Sequence, residues 1–372
     1  MRKVRVLIVD DAVVVRRLVS DVLSADPGIE VAGTAANGVI GLAKIPQVTP
    51  DLVTLDVEMP DMDGLATLKE IRRLYPRLPV VMFSTLTQRC AATTLDALAL
   101  GANDYVTKPA NVGSVSVAMQ RIRDELIPKI KGLCPAIAGV EPPPAVSARP
   151  LRPATTAVPA EARRVDAVAI GVSTGGPNAL AALIPRLPAD LPVPILIVQH
   201  MPPLFTKLLA ERLSSQATIP VTEAVAGDVV SAGRAWIAPG DHHMEVRRDG
   251  ASIRIVTHQG PPENSCRPAV DPLFRSVAAL YGAHTLAVVL TGMGQDGLRG
   301  CEAVHDAGGQ VVVQDEATSV VWGMPGYVAG AGLAERVLPL DLLPTEITRR
   351  VRVGRAAETP ASRLASGITP GQ

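Results

Sequence analysis

Acids and a lysine recur at the ends of apolar runs in the first part of this chain. Asp10-Asp11 follows Val4–Val9, Asp56 follows Leu52–Leu55, and Lys108 stands just beyond Asp104–Val106. Converging carboxylates of this kind suit a hard divalent cation such as Mg²⁺, which takes oxygen ligands and keeps several waters. A lysine facing them neutralises a phosphate. Asp10, Asp11, Asp56 and Lys108 therefore form a place to transfer a phosphoryl group onto a carboxylate, with Asp56 as the nucleophile. Ser84, at the end of Val80–Phe83, is positioned to hydrogen-bond a phosphoryl oxygen. Acids that merely meet water would not explain Asp-Asp, Asp-x-x-Met-Pro-x-Met-x-Gly and Lys-Pro at successive run ends.

A second group lies in the later part of the chain. Gly171-Val-Ser-Thr-Gly175 follows an apolar run and precedes Gly176-Pro177 and a helical stretch, so Ser173 sits on a strand-to-helix turn with the G-x-S-x-G pattern of a nucleophile elbow. The alternatives are a glycine-rich cradle for phosphate at a helix N-terminus, or a tight turn alone. Serine attack on an acyl group needs a neutral imidazole to take its proton and a carboxylate to orient that imidazole. His200, at the end of Pro194–Val198, supplies the base, and Asp296, in Thr291-Gly-Met-Gly-Gln-Asp-Gly, the acid. Asp271, Asp241 and Asp315 are rival acids, Asp271 being expected to cap or open a helix. His242, His243, His258, His284 and His305 read as surface or structural, and no Cys or acidic cluster at ligand spacing supports a metal at His242-His243. Backbone amides near Thr174 and the glycine-flanked Met293 could form an oxyanion hole.

For these residues to meet, strands must deliver them to common sheet edges. Residues up to about 125 alternate short apolar runs with helical stretches, which predicts a doubly wound parallel sheet with its chemistry at the carboxyl ends of the strands. The stretch from 165 to 351 repeats the alternation, with a β-rich insertion between Gly227 and His258, and predicts a second α/β domain. Between them, residues 126–164 are Pro/Ala-rich and read as a semi-extended linker. Residues 352–372 read as a disordered tail.

Composition agrees with two globular domains in 372 residues. Lys+Arg and Asp+Glu are both 36, and the lack of a basic excess argues against a nucleic-acid partner. At 2% aromatic content, stacking platforms for single strands are excluded as well. Cys90, Cys134, Cys266 and Cys301 have no CxxC spacing and read as reduced thiols. The N-terminus has too short an apolar run for a signal peptide, and no run is long enough to insert into a membrane, so a soluble cytoplasmic protein is expected.

The first domain resembles a response-regulator receiver, a flavodoxin-like fold, over 1–125. The resemblance implies Asp56 as phospho-acceptor, Asp10 and Asp11 as Mg²⁺ acids, Ser84 as switch hydroxyl, Lys108 as the family's lysine and Tyr105, in Gly-Ala-Asn-Asp-Tyr-Val-Thr-Lys-Pro, as switch aromatic. It also implies a histidine kinase as phosphodonor. The second domain carries Gly-Val-Ser-Thr-Gly-Gly-Pro-Asn-Ala-Leu, Val-Gln-His-Met, Ala-Pro-Gly-Asp-His-His-Met, Cys-Arg-Pro-Ala-Val-Asp, Thr-Gly-Met-Gly-Gln-Asp-Gly and Gly-Met-Pro in order. These resemble the chemotaxis protein-glutamate methylesterase (CheB) family. That resemblance implies a triad of Ser173, His200 and Asp296, needing no cofactor, that hydrolyses glutamate γ-methyl esters on chemoreceptors. It also implies deamidation of receptor glutamines, and a receiver that covers the catalytic cleft until it is phosphorylated. The DNA-binding alternative lacks a helix-turn-helix after residue 165, and a nucleotide-binding output lacks the P-loop lysine.

Overall fold

Runs of β-branched residues, buried on both faces, build two parallel sheets in this chain. The structure, a computed structural model, describes residues 2–108, 115–139 and 163–355. In the first unit β1 (Val4–Val9), α1 (Val13–Ser24), β2 (Ile29–Ala35), α2 (Gly38–Val48), β3 (Leu52–Asp56) and α3 (Gly64–Leu74) alternate. They are followed by β4 (Val80–Ser84), α4 (Gln88–Ala99), β5 (Asp104–Thr107), α5 (Val115–Leu133) and the single turn α6 (Pro135–Ala138). The strand order is β2-β1-β3-β4-β5, so the chain reverses direction across the sheet between β1 and β3. Asp10, Asp11 and Asp56 follow or end those two strands, where doubly wound sheets place their ligands.

The helix α5 runs past Pro128, which costs the backbone bond its missing N–H would have made. Burial of Leu126, Ile127 and Ile130 against the sheet offsets that loss. Residues 126–133 and 135–138, which composition assigns to the linker, are therefore helical. The proline-rich remainder, 140–162, lies outside the described residues, as does the tail from 356.

The second unit opens with β6 (Ala167–Val172), α7 (Gly176–Leu183), β7 (Ile195–Gln199), α8 (Phe205–Gln216), β8 (Val221–Glu223) and β9 (Ala235–Ile237). A hairpin of β10 (His243–Asp249) and β11 (Ser252–His258) follows as a separate antiparallel pair. Then come α9 (Val270–Tyr281), β12 (Thr285–Val289), α10 (Leu298–Asp306), β13 (Gln310–Gln314), α11 (Met324–Gly330), β14 (Arg336–Leu338) and α12 (Leu343–Arg352). The large sheet is ordered β14-β13-β12-β6-β7-β9-β8 and is parallel throughout. Its switch point falls between β12 and β6. No described helix is long and apolar enough to cross a membrane.

The two units share one apolar cluster. Leu95, Leu98 and Tyr105 of the first belong to the same buried set as Phe205 and Leu209 of the second. Tyr105 stacks on Phe205 with ring centroids 4.6 Å apart and planes 8° from parallel. Polar contacts flank that stack: Asn178 Nδ2 donates to Leu98 O at 2.7 Å, and Arg212 pairs with Asp96 at 2.6 Å.

Candidate active site

Register sets the geometry of the second unit's site. Val172 pairs with Gln199, so the next residues, Ser173 and His200, leave adjacent strands side by side. Gln199, almost fully buried, ties the two together: its Nε2 donates to Ser173 O at 3.0 Å and His200 O at 3.3 Å. Gly176 must lack a side chain here, because a Cβ would lie 1.8 Å from Gln199 Oε1. Gly175, at φ 77°, turns the chain sharply into α7. Nothing in the sequence marks Gln199 except its place beside His200.

The loop after β12 brings Asp296 to this edge. Asp296 Oδ2 lies 2.7 Å from His200 Nε2 and also accepts from Val270 N at 2.7 Å. Its Oδ1 accepts from Asp271 N (3.1 Å), Gly297 N (3.0 Å) and Asn264 Nδ2 (2.9 Å). Burial opposes the charge on Asp296, but the His200 bond and these backbone donors hold its pKa below the ordinary carboxylate value. The other ring nitrogen of His200, Nδ1, faces Cys266 Sγ at 3.5 Å. Burial disfavours a charged imidazole, yet the Cys266 sulfur and then the Asp296 carboxylate outweigh it, and the His200 pKa is pushed up to about 10. Ser173 is half-buried, and its Oγ makes no hydrogen bond among the described residues. The sequence quotes Cys266 within a motif but gives no sign that its thiol meets the imidazole.

The rival acids go elsewhere. Asp241 pairs with Arg267 at 2.6 Å, and Asp315 accepts from Thr318 N at 3.0 Å. Asp271 lies in the first turn of α9 but caps a different helix: its Oδ1 accepts from Gly297 N (3.0 Å) and Gly300 N (2.7 Å) at the start of α10. His243 is buried as a structural group, with Nδ1 accepting from Ala269 N at 3.2 Å and Nε2 3.0 Å from Pro261 O. Near the turn, the backbone amides of Thr174 and Met293 donate to no group among the described residues. The Thr174 hydroxyl is engaged: it donates to Asp104 Oδ2 of the first unit at 2.9 Å.

In the first unit, oxygens of Asp10, Asp11 and Asp56 lie within 4.8 Å of one another. Lys108 Nζ pairs with Asp56 at 2.7 Å and Asp10 at 2.8 Å. Burial pushes the Asp56 carboxyl up to about 6, the Lys108 hydrogen bond only partly opposing it. Ser84, at the end of β4, is fully buried, and its hydroxyl accepts from Thr94 Oγ1 at 2.8 Å rather than meeting Asp56. Tyr105 is away from the acids altogether, buried against Phe205 with its carbonyl accepting from Lys129 Nζ at 2.6 Å.

The CheB methylesterase family model matches residues 168–347, and the response regulator receiver domain model matches residues 6–120. A protein-glutamate methylesterase/protein-glutamine glutaminase of Trichodesmium erythraeum is 58% identical over 351 residues, covering 94% of this chain and all (100%) of its own length. One from a Nocardioides species is 53% identical over 370 residues, covering 98% and 100%. Among solved structures, the Thermotoga maritima CheB methylesterase catalytic domain is 42% identical, with TM-score 0.49, over 50% of this chain and 98% of that one.

Proposed function

The chain belongs to the CheB methylesterase family, and from that premise we propose that it is a two-domain response regulator, a receiver at 1–125 and an esterase at 165–351. Its output is hydrolysis of glutamate γ-methyl esters on chemoreceptors and deamidation of receptor glutamines. The observation that carries the reading is the 2.7 Å bond between His200 and Asp296 beside the Ser173 turn.

Ser173 Oγ attacks the ester carbonyl carbon as its proton passes to His200 Nδ1, the ring nitrogen that Asp296 does not bond and that exchanges its 3.5 Å contact with Cys266 Sγ for the Ser173 hydroxyl. Asp296 fixes the imidazole through Nε2 and stabilises the imidazolium. The unengaged amides of Thr174 and Met293 offer donors to the developing oxyanion. Collapse breaks the C–O bond, and methoxide leaves as methanol with the proton from Nδ1. Water then gives a proton to Nδ1 and attacks the acyl carbon, and Ser173 departs reprotonated, freeing the glutamate. From a glutamine side chain, ammonia leaves in place of methanol.

Asp56 is the proposed phospho-acceptor, with a histidine kinase as donor. The all-oxygen set Asp10, Asp11 and Asp56 fits a hard cation and would hold Mg²⁺, which when bound neutralises charge on a phosphoryl group. Lys108 pairs with the carboxylate that receives the phosphoryl, and Ser84 must turn from Thr94 to reach it. Masking of the cleft by the receiver is supported by the bond from Thr174, next to Ser173, to Asp104. Methanol release from methylated receptor membranes tests the reading. It should appear with the full chain, rise with a small phosphodonor and vanish in Ser173→Ala. Release that survives in Ser173→Ala would overturn it.

A further inference from the structure

Residues 263–266 close on themselves: Cys266 N donates to Glu263 O at 2.8 Å, and Glu263 N to Cys266 O at 3.1 Å. Both central residues, Asn264 (φ 50°) and Ser265 (φ 62°), are left-handed, as in a tight hairpin turn. Asparagine tolerates that conformation, so its backbone is accounted for by the turn. Its side chain is not. Asn264 Nδ2 donates to Asp296 Oδ1 and to Asp271 Oδ2, each at 2.9 Å, using both hydrogens of one amide.

The two carboxylates it joins are buried neighbours. Gly297 N lies 3.0 Å from an oxygen of each, and Asp271 N donates to Asp296. Only one of them meets the imidazole. Burial and the Asp296 charge push the Asp271 carboxyl up, whereas Asp296 is held down. The titratable and charged groups around the pair are His200 after β7, Cys266 in the turn, Arg275 on α9 and Cys301 on α10.

We propose that Asn264 is a positioning residue of the esterase reaction, its amide fixing Asp296 against His200 and tying it to Asp271. The inference rests on the reading of Asp296 as the orienting acid. It acts through Asp296, and Asn264 itself touches no reacting atom.

Two variants separate this role from a backbone role. Asn264→Gly keeps the left-handed turn and removes the amide, and Asn264→Asp keeps the shape but replaces donors with acceptors. In the full chain activated by phosphodonor, methanol release from receptor membranes should lose about 10- to 100-fold in kcat for both, with KM little changed. The acid limb of the Asn264→Asp pH profile should move to higher pH, because an added negative charge favours the imidazolium. Asp296→Ala is assayed in parallel. If it is inactive while both Asn264 variants keep wild-type kcat and pH profile, the clamp is wrong and the triad stands. If Asp296→Ala retains full activity, the triad reading fails and the clamp with it. Loss of the cooperative thermal transition in both Asn264 variants would also overturn the clamp, by making Asn264 a folding residue only.

Discussion

Asp56 and Asp296 are both buried carboxylates at the carboxyl edge of a parallel sheet, each beside a basic side chain, yet their surroundings differ in kind. Asp56 has Lys108 at 2.7 Å and one long backbone contact, Glu58 N at 3.4 Å, and burial pushes it up to about 6. Asp296 has three backbone amides, the Asn264 amide and His200, and lies below the ordinary value. A carboxylate that is to receive a phosphoryl group must keep an oxygen uncommitted. One that orients a base must keep its charge and direction through every step. On the proposed roles, few directed donors around Asp56 and many around Asp296 match those two needs.

The largest effect should come from breaking the well-held side. Ser173→Ala and His200→Ala should each lower kcat for methanol release by about 10⁴-fold or more, and the double variant should lose little beyond either single one, since the residues act as a unit. Additive losses would separate the two residues and sink the comparison. Asp56→Asn should abolish acid-labile phosphate incorporation from a small donor with Mg²⁺ and leave the basal esterase rate unchanged. The phosphodonor response it removes is expected to be about tenfold, a difference of about 1.4 kcal/mol between closed and open states.

Cys266→Ala sharpens the comparison at the imidazole. His200 must be neutral to act, and its raised pKa keeps it protonated up to higher pH, so activity should climb with pH through that value. Removing the sulfur lowers that pKa, and the acid limb should move down by about one pH unit, with a higher rate at neutral pH. An unmoved limb would mean Cys266 does not set the base. The smallest effect is expected from Arg212→Ala, which deletes an exposed ion pair to Asp96. The basal rate of the unphosphorylated chain should rise by less than about fivefold, because such pairs contribute under about 1 kcal/mol.

The grouping of the candidate residues was legible because they sit in short patterns at strand ends. Asp10-Asp11, Asp56 and Lys108 announce their pocket, and Ser173, His200 and Asp296 follow three apolar runs, so an alternating α/β pattern brings them to common edges. What surrounds them was not legible, because it depends on contacts distant in sequence. Asp271, expected to cap or open a helix, lies in the first turn of α9 and caps α10, a helix that sequence alone did not name. Pro128 falls in the stretch that composition assigns to the linker, but buried neighbours carry α5 on to Leu133. Tyr105 entered only as the switch aromatic that the resemblance implies, and only the approach of α8 shows where its ring goes. Asn264 and Cys266 gave no sign of their contacts with Asp296 and His200, partners at least 32 residues away.

On the proposed masking, the stack of Tyr105 on Phe205 makes activation a question of temperature as well as charge. Tyr105 is 5% exposed and Phe205 fully buried at 0%, so parting the two units must wet both rings and the leucines around them. Wetting apolar surface raises the heat capacity, and the free energy opposing it weakens on cooling. The unphosphorylated chain should therefore lose part of its restraint in the cold, and the ratio between phosphorylated and resting rates should be widest toward the warm end of the working range.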